Sequence, residues 1–466
     1  MKSDILVIGG GASGLMAAYS AASCLSEGGS PATVTLLEKM PRPARKIMIT
    51  GKGRCNFTNL KDWNSFVGHV RSKPNALKPA FFNLNPEALT ELFGSFGLQS
   101  VVERGDRVFP QSHRASDVVD TLVAACKSVG VRIQTGAEVL DLCCEDNSFA
   151  AVLSDGSLLS SSRIIVATGG LSYPSTGSSG DGLRWASSLG HSIVPTFPSL
   201  TALVPRGYKS NATPDQNATQ EQSSGPRHLN RSLPLSQLGE SLCGVSLKNI
   251  SARLLVEGHL ADDGFGDLDF TDGGIEGPLG FSLSRKAVKA MNNGSRVSLE
   301  LDLKPGVPPE ELQQRVATLW NEVCRDPRSR NIREKEKLRI LLGKLMPWPL
   351  IPGFVQTHSE IIRQKKLGRG QVRYEILPEK IAPALQCWTF DIAGYVGYER
   401  AVVTAGGVST DEVYPKTLES RIVPGLYLCG EVLDLDADTG GYNLQIAFCT
   451  GFLAGKSAAL SLKEQS

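Results

Sequence analysis

Apolar positions in the first forty residues fall into two short continuous runs separated by an alanine-rich stretch of helical period. Asp4 to Ile8 is a short run of buried-strand character, Ser13 to Leu25 repeats small and apolar side chains at helical spacing, and Thr33 to Leu37 is β-branched and apolar. Two buried strands joined by a helix predict a βαβ unit with parallel strands. The polar Ser26–Ala32 loop is a long connection for such a unit.

Helical spacing returns over Pro86 to Phe96 and Ala115 to Val129. Between Val131 and Arg163, short alternating runs flank an Asp155-Gly156 turn, which predicts hairpin strands. Ile164-Ile165-Val166-Ala167 is then an apolar strand ending in Thr168-Gly169-Gly170. From about Pro195 the pattern changes. Residues 207–232 are polar, the composition of a mobile surface loop, and their Asn211-Ala212-Thr213 and Asn217-Ala218-Thr219 glycosylation patterns read as chance. Strand-like runs cover 243–257, and helical ones cover 281–292, 309–324 and 333–346. The chain from Pro383 returns to strand, glycine turn and a final helix. The fold class is therefore α/β. Residues 1–194 and 383–466 form a Rossmann-like two-part domain, interrupted by a β-rich insert over 195–382 with a helical subdomain at about 281–346.

Composition refines this only slightly. A chain of 466 residues implies two or three domains, and 41% apolar residues are ordinary for globular protein. With 49 basic and 47 acidic residues there is no global field to hold nucleic acid or an anionic membrane. No apolar run approaches the roughly 18–20 residues of a membrane span. Glycines interrupt the N-terminal apolar run, so it reads as strand and turn rather than secretion signal. The ten cysteines include no CxxC pair, which favours reduced thiols and a cytoplasmic location.

Three stretches carry chemistry. Gly9-Gly10-Gly11-Ala12-Ser13-Gly14 is a GxGxxG between strand and helix. Gly9 permits the tight turn, Gly11 lets backbone N–H groups reach a pyrophosphate, and Gly14 lets the helix pack against the sheet. Glu38 ends the second strand, where a carboxylate can bind ribose hydroxyls. Lys39 follows, and Arg45 to Asn59 is a second polar, glycine-bearing stretch, which suits a long ligand gripped at both ends and points to FAD rather than NAD. Far downstream, Leu426-Tyr427-Leu428-Cys429-Gly430-Glu431 is a short strand closing on glycine and acid, with Gly440 and Gly441 opening the last helix. A helix N-terminus there would stabilise negative charge on a reduced flavin. Asp434, Asp436 and Asp438 lack the glycine and distal glutamate of a calcium loop, so no metal is expected.

In combination these residues resemble the bacterial NAD(P)/FAD-dependent oxidoreductases of the BaiN/RdsA kind, some of which are called aminoacetone oxidases. The resemblance rests on Gly51-Lys52-Gly53-Arg54-Cys55-Asn56, Arg107-Val108-Phe109-Pro110 with Ala115-Ser116-Asp117, and Ala167-Thr168-Gly169-Gly170. It continues in Thr404-Ala405-Gly406-Gly407-Val408, Gly430-Glu431-Val432-Leu433-Asp434 and Thr439-Gly440-Gly441-Tyr442-Asn443-Leu444-Gln445. The insert matches more loosely, and Asp272 stands where the family pattern has histidine. The resemblance implies an FAD site near Gly9, Gly11, Ala12, Ser13, Gly14, Glu38, Lys39, Lys46, Gly51, Gly53, Arg54, Cys55, Asn56, Ala167, Thr168, Gly169, Gly407, Gly430, Glu431, Asp436, Gly440, Gly441, Tyr442, Asn443 and Leu444. The insert is expected to roof the isoalloxazine and shape a pocket for a small-molecule substrate.

Only one dinucleotide fingerprint is present. NAD(P)H is therefore expected as a transient co-substrate at the flavin face, the alternative being an organic amine or alcohol donor with oxygen as acceptor. Cys55 reads as a packing residue before a flavin-adjacent thiol. His113 and His191 fall near ligand loops without triad-like spacing, and no catalytic base is assigned. Residues 325–344 hold eight Lys or Arg against three acids, which reads first as a solvated helix face, with Leu338, Leu341 and Leu342 turned inward, and second as an RNA grip. A flavin-holding redox sensor without turnover is the third class.

Overall fold

The computed structural model describes residues 2–145, 148–210, 233–366 and 372–463. Most of the polar 207–232 segment, from residue 211 on, lies outside the described residues. The chain divides into two units, Met1–Ser199 with Tyr398–Ser466, and Leu200–Gly397.

The first unit is built on a seven-stranded sheet. Lys2–Ile8 lies between Val34–Glu38 and Leu158–Val166, all parallel, with Ile5 opposite Val34 and Ile8 opposite Val166. Arg132–Thr135 extends the sheet beyond Val34–Glu38. On the other side, the first half of Leu158–Val166 pairs antiparallel with Ser148–Leu153 through the Asp155-Gly156 turn. Its second half pairs parallel with Leu426–Leu428. The two ends of the chain thus meet in one sheet, where Leu428 stands opposite Val166 and Leu426–Leu428 is fully buried.

Helix Ala12–Glu27 follows the first strand and packs along Gly440–Lys463, the final helix. Glycine sets the closeness of that contact. A Cβ at Gly451 would lie 2.2 Å from the Ser13 carbonyl oxygen, and one at Gly455 would lie 2.1 Å from that of Ala17. Ile5, Leu6, Val7, Leu15, Ala18, Ile164, Leu428 and Phe448 form the dry centre of this unit.

The second unit is a closed six-stranded barrel. Its order is Leu203–Pro205, Gly274–Glu276, His259–Thr271, Ser246–Val256, Val297–Asp302 and Trp388–Tyr395. The last strand pairs with both Val297–Asp302 and Leu203–Pro205 and so closes the barrel. This carries the unit past residue 382, where the apolar pattern alone puts its end. A closing strand reads locally like any other strand, and only its partners assign it. Phe270, Trp388 and Phe390 pack at tilted angles in its interior, with Phe354 edge-on to Trp388. Helices Gly277–Asn292, Pro309–Arg325 and Glu334–Gly343 supply the helical part. Among the described residues, no helix is long and apolar enough to cross a membrane.

Candidate functional site

A cavity of about 1210 Å³, its open mouth included, lies in the first unit along the C-terminal ends of the parallel strands. Ligands of open α/β sheets bind at that edge because strands end there and helices begin.

The fingerprint turn forms one end. Gly9 has φ of 104°, and a Cβ there would lie 2.5 Å from the Ala167 carbonyl oxygen. At Gly14 a Cβ would meet the Gly9 oxygen at 1.8 Å, so only hydrogen fits at either position. Gly11 differs, since nothing lies within 4 Å of the space its Cβ would take. Its open face lies at the N-terminus of helix Ala12–Glu27, where unpaired N–H groups and the helix dipole favour an anion.

Glu38 closes this end. Its carboxylate accepts the Gly10 N–H at 2.8 Å on one oxygen and the Met40 N–H at 2.7 Å on the other. Burial pushes its pKa above the ordinary 4.5 against the pull of those N–H groups and of Lys39 and Arg45. Both oxygens keep a free lone pair, and each can accept a hydroxyl. Lys39 pairs with Asp181 at 2.7 Å and with the Ser179 hydroxyl, drawing the 177–181 loop over this part of the cavity.

The middle is set by Glu431, in the short 3-10 turn Gly430–Val432 that follows the late strand Leu426–Leu428. Lys46 Nζ lies 2.7 Å from one oxygen, while the Ser172 hydroxyl (2.5 Å) and the Thr404 N–H (2.8 Å) donate to the other. Burial works against the charge on Glu431. The Lys46 ammonium and these hydrogen bonds overcome it and hold the pKa below 4.5. The Thr404 hydroxyl in turn accepts the N–H groups of Leu171 and Ser172, fixing the loop after Ala167-Thr168-Gly169. Gly430 has φ of 75°, and a Cβ there would lie 2.4 Å from Ser13 Oγ, which brings the late strand onto the fingerprint helix.

The far end is the start of the final helix. Gly440, Asn443 and Leu444 line it. Asn443 folds the preceding loop by accepting the Ala437 N–H and donating to the Ala437 and Thr439 carbonyls, at 3.0, 2.7 and 2.8 Å. Asn56 sits beside this helix start, where a Cβ at Gly441 would strike its amide at 2.5 Å. Its Oδ1 is buried with no hydrogen-bond partner.

Of the expected residues, Gly9, Gly11, Ala12, Ser13, Glu38, Lys39, Lys46, Ala167, Thr168, Gly169, Glu431, Gly440, Asn443 and Leu444 share this cavity, while Gly14 packs behind it against Gly9. Others shape it from behind. Gly51, Gly53, Arg54 and Cys55 form a tight turn in which Gly51, Lys52, Gly53 and Cys55 all have positive φ. Cys55 is fully buried and its thiol is pushed up to about 12 by burial, as befits a packing residue. Arg54 lies over the Phe109 ring at 4.4 Å and pairs with Glu103. Gly407 packs against the Val432 carbonyl. Tyr442 stacks on His69 at 4.3 Å, and the His69 ring meets Asp438 at 3.0 Å. Asp438 also takes Arg71, and the buried Asp436 carboxylate accepts the Ser199 hydroxyl at 3.5 Å, so both acids have protein partners.

Arg45, at the head of the second polar stretch, also lines the cavity, and sequence reasoning missed Ala137, Val139, Asp181, Trp185 and Val403, which line it too. None belongs to a motif, and each arrives by tertiary folding. His113 lies 3.2 Å from Arg54. His191 does join a Ser–His–Glu relay, with Nδ1 3.1 Å from Glu412 and Nε2 2.8 Å from Ser420 Oγ. That hydroxyl is buried and already accepts the N–H groups of Ile422 and Val423, so the relay is a structural lock rather than a nucleophile.

Residues 3–457 match the family described as the HI0933-like protein Rossmann domain. Two relatives are similar along their whole length. The 3-dehydro-bile acid delta(4,6)-reductase of Clostridium scindens is 32% identical, over 97% of this chain and 98% of that one. The ribosomal RNA dihydrouridine synthase of Escherichia coli is 27% identical, over 96% of each. Among solved structures, 3-ketosteroid delta1-dehydrogenase from Sterolibacterium denitrificans is 12% identical, over 99% of this chain and 100% of that one, with a TM-score of 0.48. With a family match that takes in both ends and the insert, the chain belongs to the HI0933-like Rossmann family and is a flavin-dependent oxidoreductase of that type.

Proposed function

We propose that this chain holds FAD along the cavity and uses it to move hydride from NAD(P)H to a carbon–carbon double bond conjugated to a carbonyl. The observation that carries the reading is the Glu38 carboxylate. It is fixed by Gly10 and Met40 beside the open face of Gly11, at one end of a cavity that runs on to the start of helix Gly440–Lys463.

The donor set fits the cofactor. Glu38 would hold ribose hydroxyls, and the N–H groups around Gly11 would hold the pyrophosphate. Lys46 and Glu431 would line the middle, and Asn443 and Leu444 the far end. Bound there, FAD would supply hydride exchange at N5. The residues of this chain bind it, orient it and favour negative charge at the helix start.

The substrate class is supported by what the two relatives' names share. A delta(4,6)-reductase and a dihydrouridine synthase both add hydrogen across a carbon–carbon double bond. The test is an anaerobic visible spectrum of the purified protein before and after NADH or NADPH, followed by an enone. A flavin band that bleaches within seconds and returns with the enone is expected. A band that persists with both nucleotides, yet bleaches with dithionite, would refute the nicotinamide donor and leave an organic one.

A further inference from the structure

Four segments distant in sequence converge on one carboxylate in the first unit. Lys46 lies in helix Arg45–Ile49, Ser172 in the loop after strand Leu158–Val166, Thr404 in strand Val403–Val408 and Glu431 in the turn Gly430–Val432. Lys46 and Glu431 line the cavity, and Ser172, which is fully buried, stands behind them. No motif of the sequence includes Ser172.

Hydrogen-bonding capacity decides what these groups leave for a ligand. One Glu431 oxygen takes the Ser172 hydroxyl at 2.5 Å and the Thr404 N–H at 2.8 Å, which fills both of its lone pairs. The other takes Lys46 Nζ at 2.7 Å and keeps one lone pair. Lys46 Nζ also donates to Ser172 Oγ, so one of its three N–H groups remains. Ser172 therefore holds both members of the ion pair. Its single proton is committed to Glu431 and its oxygen to Lys46, which fixes where each charge points.

Ser172 is itself held in place. The Thr404 hydroxyl accepts its N–H at 3.0 Å and that of Leu171 at 2.8 Å. A Cβ at Gly170 would lie 2.6 Å from that hydroxyl, so the loop reaches Thr404 only with glycine there.

We propose that Ser172 is a positioning residue: it sets the Lys46–Glu431 pair to offer one N–H and one lone pair, side by side, to a hydroxyl of the FAD polyol chain. A hydroxyl accepts with its oxygen and donates with its proton, so it satisfies both at once. A carbonyl or an ether satisfies only Lys46 and leaves a carboxylate lone pair facing it. Without the Ser172 hydroxyl, the ammonium has two uncommitted N–H groups and the first Glu431 oxygen an open lone pair. The ammonium then slides across the carboxylate, and the single pattern is lost. The inference rests on the reading of the cavity as an FAD site.

The test uses the apoprotein of the full chain and two ligands. FAD would span the cavity, whereas ADP would reach only the Glu38 end. Quenching of flavin fluorescence reads the first and titration calorimetry the second. Ser172→Ala should weaken FAD about tenfold, as expected for losing one hydrogen bond to a charged group, and leave ADP within about twofold of wild type. Damage to the fold would weaken both. Ser172→Cys keeps the size and weakens the donor, so its FAD affinity should lie between those of wild type and the alanine variant. Because Ser172 acts through Glu431, the loss on Ser172→Ala should shrink to within about twofold when Glu431→Ala is already present. An FAD affinity unchanged by Ser172→Ala, an ADP affinity that falls in step with it, or a full loss in the Glu431→Ala background would overturn the positioning role and leave the cofactor reading standing. No FAD binding by the wild-type apoprotein would overturn both.

Discussion

Glu38→Gln isolates the group on which the cofactor reading depends. The substitution keeps size and shape but replaces one carboxylate oxygen by an NH₂ group. In the wild type both oxygens already accept backbone N–H groups, at 2.8 and 2.7 Å. Whichever oxygen is lost, a donor then faces a donor in a buried place. The ribose hydroxyls lose a charged acceptor at the same time. A hydrogen bond to a charged group is worth about 1.5–3 kcal/mol, so FAD affinity should fall by about 10- to 160-fold. Titration of the apoprotein with FAD, followed by quenching of flavin fluorescence, reads this directly. The pH dependence adds a second signature. Burial holds the Glu38 pKa above 4.5, so the wild-type affinity falls on acidification before the pH reaches that value. The Gln variant has no proton to take up there and should be flat over the same range. A dissociation constant within about twofold of wild type would remove Glu38 from the ribose role.

Two further predictions concern the frame that holds the site. Gly455→Ala puts a Cβ 2.1 Å from the Ala17 carbonyl oxygen, and backbone cannot move aside unless the helices part. The expected cost is about 1–3 kcal/mol, seen as a lower urea midpoint, and an unchanged midpoint would refute the close contact. Burial lowers the His191 pKa below 6.5 although Glu412 pulls it up. The unfolded chain therefore takes up the proton first, so this residue makes stability decline as pH falls below about 6.5. His191→Gln should be less stable at pH 8 by about 1 kcal/mol and should flatten the decline between pH 6.5 and the lowered pKa, followed by thermal melts. A decline as steep as that of wild type would show that another group causes it.

The sequence by itself determined the βαβ unit, the fingerprint turn, Glu38 as the acid at a strand end and Glu431 as the acid in the turn after another strand. These follow from short-range rules. A strand buried on both faces must be continuously apolar, a backbone that touches backbone must be glycine, and a helix N-terminus offers its N–H groups wherever it stands. The spacing Gly451-Phe452-Leu453-Ala454-Gly455 belongs to the same class of signal and could have been read as a close helix contact. Only the tertiary structure decided that Lys46 meets Glu431 across 385 residues, that Asp181, Trp185 and Val403 line the cavity, and that Trp388–Tyr395 belongs to the barrel. Such pairings leave no local trace, because a salt bridge or a barrel closure constrains each partner only to be chemically suitable. The packing of the whole core chooses which suitable residues meet.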